Sequence, residues 1–447
     1  MSKANATSGP SIELVKEISK QKSEPSWMLA ERLAGLLAFE NLGMPKWGPD
    51  LSALNFDDLS YYVHSSDKAH RSWDDVPTKT RQTFEALGLP EAEQQHLAGL
   101  GAQYESDAVY HNLKKKWEAA GVIFSDFDTA LREHPDIVKK YFGTVVPHND
   151  NKFAGLNTAF WSGGSFVYVP KGVKIEEPLQ AYYRINTKKM GQFERTLIIA
   201  AEGSHVHYVE GCTAPTYSEA SLHAAVVEII AEPGAHVRYT TIQNWSKNVY
   251  NLVTKRAHAH ENSFIEWVDG NLGSRVTMKY PGVVLKGQGA RTELLSIASA
   301  SEVGQVQDSG CSIVHAAPNT TSKIISKSIS SHGGTANFRG FIKAKDGATG
   351  CKSFTQCDSL ILDGKSIANA YPMATVENPD IEMSHEARVS KVDDARLRYI
   401  MSRGISKKEA MALIVGGFIE SFVKKLPMEY AVEMNRLIEL EIGEDDE

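Results

Sequence analysis

The sequence predicts a mainly β protein with α flanks: a right-handed parallel β-helix core between N-terminal and C-terminal helical regions. Three observations predict it. From about residue 150 to 380 the helical period disappears, and short segments rich in Val, Ile, Thr and aromatics alternate with Gly, Asn and Asp turns, which is a strand pattern. A hexamer also recurs: "GSHVHY" (203–208) returns as "GAHVRY" (234–239) after 31 residues, as "NSFIEW" (262–267) after 28 and as "GARTEL" (289–294) after 27. No long helical pattern separates these units, which argues against βαβ layers. A unit of this size cannot bury its own apolar face, so the units must stack. The right hand follows from the general crossover preference. A β-sandwich or barrel is the competing fold, but there turn signals come every 8–12 residues or so, without a repeated hexamer.

Residues 1–145 read as a mostly helical region. In "SEPSWMLAERLAGLLAFENLG" (23–43), Ser23 is the expected cap, Pro25 lies in the first turn, and Leu29, Leu33, Leu36 and Leu37 follow at helical spacing. Gly43 is the expected stop. "MPKWGPDLSALNF" (44–56) reads as a connecting loop, and "YHNLKKKWEAAG" and "FDTALREHPDIVKKYF" as helices. Residues 146–391 form the expected β-helix core, and 392–447 a C-terminal helical region. There "DDARLRYIMSRG" ends at Gly404, "SKKE" (406–409) is a capping box, and Ile414, Phe418 and Phe422 mark one apolar face. "PMEYAVEMNRLIELEI" is a further expected helix, and the acidic tail "GEDDE" is expected to fray.

The chain has 447 residues, 42% hydrophobic and 23% charged, enough to bury a large core. Its 48 basic and 55 acidic residues leave a net charge of −7, which argues against a nucleic-acid partner. The first residues lack the apolar stretch of a signal peptide, and no run reaches the length of a membrane span. A cytoplasmic location without membrane association is expected. Cys212, Cys311, Cys351 and Cys357 show no C-x-x-C spacing, so reduced thiols are expected, Cys311 and Cys351 as buried ones.

Three groups of residues carry chemistry. His385 and Glu386 in "MSHEARVSK" begin like the zincin motif, but Val389 stands where the second histidine is required. Thiolate, imidazole and carboxylate all suit iron. The 28 residues from Cys357 to His385 equal about one solenoid turn, so the pair can stack on neighbouring rungs, with Glu386 as a third donor. The competing reading is a buried cysteine beside a solvated His–Glu. Cys212 in "EGCTAP" precedes a turn; exposed there, its thiolate could accept sulfur, whereas buried it is a small core residue. His258 and His260 share one strand face, but without a third ligand they read as a solvated edge.

Several long segments add a resemblance: "PKWGPDL", "GLNTAFWSGGSFVYVPKGV", "GQFERTLIIA", "EGCTAP", "LHAAVVE", "VYNLVTKRA", "SKIISKSIS", "CDSL" and "SHEA". Across nearly the whole chain, in order, they resemble the SufB/SufD family of the SUF iron–sulfur cluster assembly machinery, and "EGCTAP" with "CDSL" resembles its SufB branch. The resemblance implies a non-enzymatic scaffold with a β-helix core. It implies a transient iron–sulfur cluster, [4Fe–4S] among the options, at the Cys357, His385 and Glu386 ligand candidates. It also implies sulfur entry at Cys212 from a desulfurase system, and a polar path matched here by Arg184, Asn186, Gln243 and Trp245. Implied partners are a SufC-type ABC ATPase, docking near 405–435, and SufD or a second SufB copy. ATP falls to the partner, because this chain has no G-x-x-x-x-G-K-[ST]. Complexes of such proteins are associated with reduced flavin, yet no dinucleotide fingerprint accompanies it here. Two departures stand out: the N-terminal cysteines of many relatives are absent, and Ser384 occupies an often acidic position. A SufD-type structural subunit is the alternative. A polysaccharide-acting β-helix enzyme is the remote one, since it needs carboxylates gathered on one exposed face and a secreted context.

Overall fold

A computed structural model of the chain describes residues 9–64, 69–85, 88–184, 187, 189–213, 220–426 and 431. From Leu179 onward the strands alternate between two sheets. The first sheet runs Leu179–Arg184, His205–Thr213, His236–Trp245, Phe264–Gly273, Arg291–Ala300, Thr321–Ser330, Cys351–Ile361 and Ile381–Lys391. The second sheet receives the strands between them, from Arg195–Ala200 through Val249–Ala259 and Val306–His315 to Ile367–Val376. Rung-to-rung pairing is parallel throughout this core. The molecule is therefore a β-helix with helices at both ends.

The repeated hexamers are the rungs. His205 lies opposite His236, His236 opposite Phe264, and Phe264 opposite Arg291, which reproduces the shifts of 31, 28 and 27 residues. The first residue of each hexamer has a left-handed backbone: φ is 66° at Gly203, 68° at Gly234, 53° at Asn262 and 69° at Gly289. Gly meets that demand without a Cβ penalty, and Asn tolerates it best among the rest. Like side chains stack up the interior at the strand spacing. The rings of Tyr208 and Tyr239 lie 5.2 Å apart, and those of Tyr239 and Trp267 5.1 Å apart.

The N-terminal region is less helical than its sequence predicts. The segment Tyr110–Leu113, expected as helix, closes the strand Asp107–Leu113, and helix is confined to Lys115–Ala119. This strand pairs antiparallel with Gly99–Tyr104, which itself extends the first sheet beside Leu179–Arg184. An available sheet edge outweighed the weak helical pattern. Helix Ser26–Asn41 begins behind Pro25, not at Ser23, whose φ of 54° takes it out of the capping geometry. Gly43 does not end that helix. Leu42 leaves it in an extended conformation, and the Lys152 ammonium bonds the Phe39 and Leu42 carbonyls. Gly35 lets this helix touch Lys152–Phe160, because a Cβ there would sit 2.8 Å from the Ala159 nitrogen.

At the other end the Ser406–Glu409 capping box is present at the start of helix Lys407–Val423. Ala410, Val415, Ile419 and Phe422 pack on Ile242, Val268, Ile297 and Ile329 from the outer face of the first sheet, with Ile414 and Phe418 partly buried beside them. The segment expected as a last helix lies outside the described residues apart from Ala431. Among the described residues, no helix is long and apolar enough to cross a membrane.

Several partly or fully buried histidines are held in their neutral form, which links stability to acid. Burial lowers His111 and His207 to about 3, with nearby arginines adding to the effect, and lowers His315 to about 4. In the unfolded chain these groups bind protons below about pH 6.5, while the folded chain does not until the lower values. Stability is therefore full above 6.5 and falls between 6.5 and roughly 3 to 4, by up to about 1.4 kcal/mol per pH unit for each histidine. Urea midpoints measured from pH 7.5 down to 5 should decline, and His111→Phe should flatten the decline; a flat wild-type profile would contradict this linkage.

Candidate functional site

The solenoid ends at two neighbouring strands, Ile367–Val376 and Ile381–Lys391, which are the terminal members of their sheets. Among the described residues no strand pairs with their outer edges, and Met373 and Val389 are 63% and 53% exposed. Just inside this open end, Cys357 Sγ lies 3.7 Å from His385 Nε2. The register explains the contact. Thr355 pairs with His385 and Cys357 with Ala387, so Cys357 and His385 share the inward face, one step apart along adjacent rungs. Cys357 is buried, and burial followed by the neighbouring Asp358 pushes its thiol up to about 11. Burial lowers the His385 imidazole, which favours its neutral, ligand-competent form. A cavity of about 100 Å³ opens beside them, lined by Gly340, Thr355, Met383 and His385 among others.

Glu386 does not join them within the chain. It pairs with Gln356, an outward position, and its carboxylate bonds Arg388 at 3.1 Å on the exposed face. Adjacent residues of a strand point to opposite sides, so His385 and Glu386 cannot both face inward from one regular strand.

Cys212 is 1% exposed, so of its two readings the surroundings are those of a small core residue, not of an accessible thiol. The strand His205–Thr213 carries it to the interior. Burial, then the Glu210 and Glu194 carboxylates, raises its thiol well above the ordinary range. Gln243 pairs with it in register and places Nε2 4.0 Å from Sγ. Trp245 is buried next along the strand, its ring 4.6 Å from that of His223. Arg184 bonds the Thr213 hydroxyl at 2.9 Å, beside Cys212 but not on it. Asn186 lies outside the described residues.

Reading single motifs missed the residues that surround Cys212. Glu194, Glu210, His223, Lys255, Asp269 and Lys279 are all buried. Lys255 and Lys279 reach Asp269 at 3.2 and 3.0 Å, and two cations sharing it hold its carboxyl well below the usual range. The register also lines up Glu210, Thr241, Asp269, Ser296, Ser326 and Cys357 as one inward column. Five rung steps of about 4.8 Å give this polar file a length near 24 Å. The Ser296 and Ser326 hydroxyls bond each other at 2.9 Å along it. Aligning the repeats by rung, rather than reading motifs singly, exposes this column in the sequence.

Cys311 and Cys351 are buried. His258 accepts a hydrogen bond from the Lys286 ammonium at 3.1 Å, and no group of three His, Cys, Asp or Glu side chains arranged to hold a single metal ion occurs among the described residues.

With this geometry in place, comparison with known proteins is specific. Residues 183–418 match the profile described as SUF system FeS cluster assembly, SufBD core domain, and residues 74–181 match the SufBD protein N-terminal region. The chain is 60% identical over 429 residues to an iron–sulfur cluster assembly SufBD family protein of Staphylococcus aureus (strain USA300), covering 96% of this chain and 92% of the relative. A protein of the same description from Staphylococcus haemolyticus (strain JCSC1435) is also 60% identical over 429 residues, with the same 96% and 92% coverage. A β-helix matched along its length and relatives alike from end to end place the chain in a single family: it belongs to the SufBD family of iron–sulfur cluster assembly proteins.

Proposed function

We propose that the chain is the SufB-type scaffold of a SUF complex in the cytoplasm. It receives persulfide sulfur at Cys212 and builds a transient cluster at a subunit interface next to Cys357. The observation that carries this reading is the 3.7 Å approach of Cys357 Sγ to His385 Nε2 at the open end of the solenoid. A thiolate and an imidazole held together there are iron donors with room for more ligands. Two sheet edges beside them, without a partner strand among the described residues, are a ready template for a second chain, SufD or another copy. A ligand set completed across that interface can be opened again, which suits a protein that must release its product. Glu386 would enter the set only through the partner or through movement of the terminal strand.

In this reading the ATPase partner docks on helix Lys407–Val423. Its outer side forms a groove of about 1010 Å³ lined by Leu413, Gly416, Gly417 and Glu420 among others, and Leu413 is 58% exposed. An exposed leucine beside two glycines, with Lys408, Glu409 and Glu420 at the rim, fits helix-in-groove docking. Leu413→Glu should weaken co-purification with a SufC-type ATPase at least tenfold, on the order of the loss of one interface anchor, while leaving the circular dichroism spectrum unchanged. Equal recovery of the ATPase would move the docking site elsewhere.

The outward position of Glu386 favours one second reading, a SufD-type subunit that contributes structure but no cluster. Anaerobic reconstitution with iron and sulfide, followed by Mössbauer spectroscopy with and without the ATPase partner, separates the two. A cluster signal that depends on Cys357 supports the scaffold; its absence from a folded, assembled complex supports the structural subunit.

A further inference from the structure

The ionisable groups around Cys212 are unusual for a β-helix interior. Another inward column of the same rungs is apolar, Val206, Val237 and Ile265, and each buried charge carries a desolvation cost of several kcal/mol. Their hydrogen bonds have one consistent polarity. An ammonium only donates, so Lys279, 2.9 Å from the inner atom of the Gln243 amide, requires that atom to be the oxygen. Asn251 then donates its Nδ2 to the same oxygen at 2.8 Å, which turns its own Oδ1 toward His223 Nδ1 at 2.7 Å. On its other side His223 Nε2 lies 2.9 Å from a Glu194 carboxylate oxygen. The amide nitrogen of Gln243 is thereby aimed at Cys212 Sγ, 4.0 Å away. The sulfur also meets an acceptor, Glu210 Oε1 at 3.8 Å. The second Glu210 oxygen is fixed by the Tyr239 hydroxyl at 2.6 Å. The sulfur thus meets both a donor that favours its anion and a carboxylate that can take its proton.

We propose that Glu210 is the base that removes the Cys212 proton during sulfur loading, and that Lys279 is a positioning residue that holds the Gln243 amide on the resulting sulfur anion. This rests on the reading of Cys212 as the sulfur acceptor. In the step, Cys212 Sγ forms a bond to the terminal sulfur of an incoming persulfide, R–S–SH. The donor's S–S bond breaks and R–S⁻ leaves. The Cys212 proton passes to Glu210 and from there to the departing thiolate, so Cys212 becomes a persulfide and the donor a thiol. No net electrons are needed. The charged groups facing the sulfur are Glu210 on its own strand, Glu194 from just ahead of the preceding strand Arg195–Ala200, and Lys255 and Lys279 from the second sheet. A thiol that burial and two carboxylates keep protonated needs such a base at the moment of attack.

The test uses glutathione persulfide on the full chain under anaerobic conditions, with loading of the Cys212 peptide followed by mass spectrometry across the neutral to mildly alkaline range. Glu210→Gln should slow loading at neutral pH by at least about a hundredfold, the low end for loss of a general base, and should shift the pH profile upward, with partial recovery in Glu210→Asp. Lys279→Met should slow loading about tenfold and Lys279→Arg should restore it, because a donated hydrogen bond to a charged sulfur contributes about 1.5 kcal/mol. A Glu210→Gln chain that loads with the wild-type pH profile overturns the proposal. If that chain does not fold, Gln243→Leu removes the donor and leaves the carboxylate; unchanged loading there overturns it equally. Iodoacetamide alkylation of Cys212 separates the two levels. If wild-type Cys212 takes no sulfur yet alkylates with a Glu210-dependent pH profile, sulfur entry fails and the base stands. If it takes sulfur with a Glu210-independent profile, the base fails and sulfur entry stands.

Discussion

Replacing Cys357 with alanine is expected to abolish cluster assembly, a loss of at least a hundredfold in reconstituted iron on the scale of losing an essential metal ligand group. His385→Ala should reduce yield or cluster lifetime by about tenfold, in the same range. Glu386→Ala should have the smallest effect of the three in the isolated chain, because its side chain is on the opposite face and bonded to Arg388. The electrostatics add a pH dependence. Cys357 is raised to about 11 and is a thiol at neutrality, so iron must displace a proton, and assembly should improve as pH rises toward that value. Burial lowers His385, so its ring is already free of the second proton at neutrality and adds no further demand. Iron and sulfide analysis with absorption spectra reads the result, with circular dichroism as the control for folding. Equal cluster yield from Cys357→Ala would remove Cys357 from the site. Greater loss from Glu386→Ala than from His385→Ala would instead place the ligands on the outer face.

The second large effect is on stability. Arg195→Met is expected to lower the unfolding free energy by about 3–5 kcal/mol, the cost of stranding one member of a buried ion pair. Arg195 and Glu228 are both fully buried, with Nη2 and Oε1 2.5 Å apart. The guanidinium also bonds the Thr158 hydroxyl at 3.1 Å and the Val146 carbonyl at 3.1 Å. Glu228 accepts the backbone N–H groups of Gly143, Val145 and Val146 at 3.0, 3.0 and 2.9 Å. The pair therefore fastens the segment before helix Lys152–Phe160 to the outer face of the second sheet. Without the guanidinium the carboxylate remains in the core as an uncompensated charge. Guanidinium denaturation followed by tryptophan fluorescence measures the change. A loss under about 1 kcal/mol would mean that the pair is replaceable, as some buried ion pairs are.

The solenoid was legible in the residues alone. The hexamer shifts of 31, 28 and 27 residues became the register of neighbouring rungs, because each left-handed turn residue has a local backbone requirement that is visible in one letter. The separation of Cys357 and His385 by one turn was legible for the same reason. Strand parity was legible too: it sets His385 and Glu386 on opposite faces, although their shared metal chemistry suggests one site. Tertiary structure alone decided the rest. Cys212 is buried because an inward strand position, rather than the turn that follows it, governs its surroundings. Tyr110–Leu113 became strand because Gly99–Tyr104 offered a partner. Lys255, Asp269 and Lys279 look like ordinary surface charges in the sequence, and they meet only when three strands from two sheets close around one interior. Turns and periodicities act over a few neighbouring residues and so are written locally. Burial, charge pairing and the direction of an amide depend on residues dozens of positions away, which only the assembled rungs bring together.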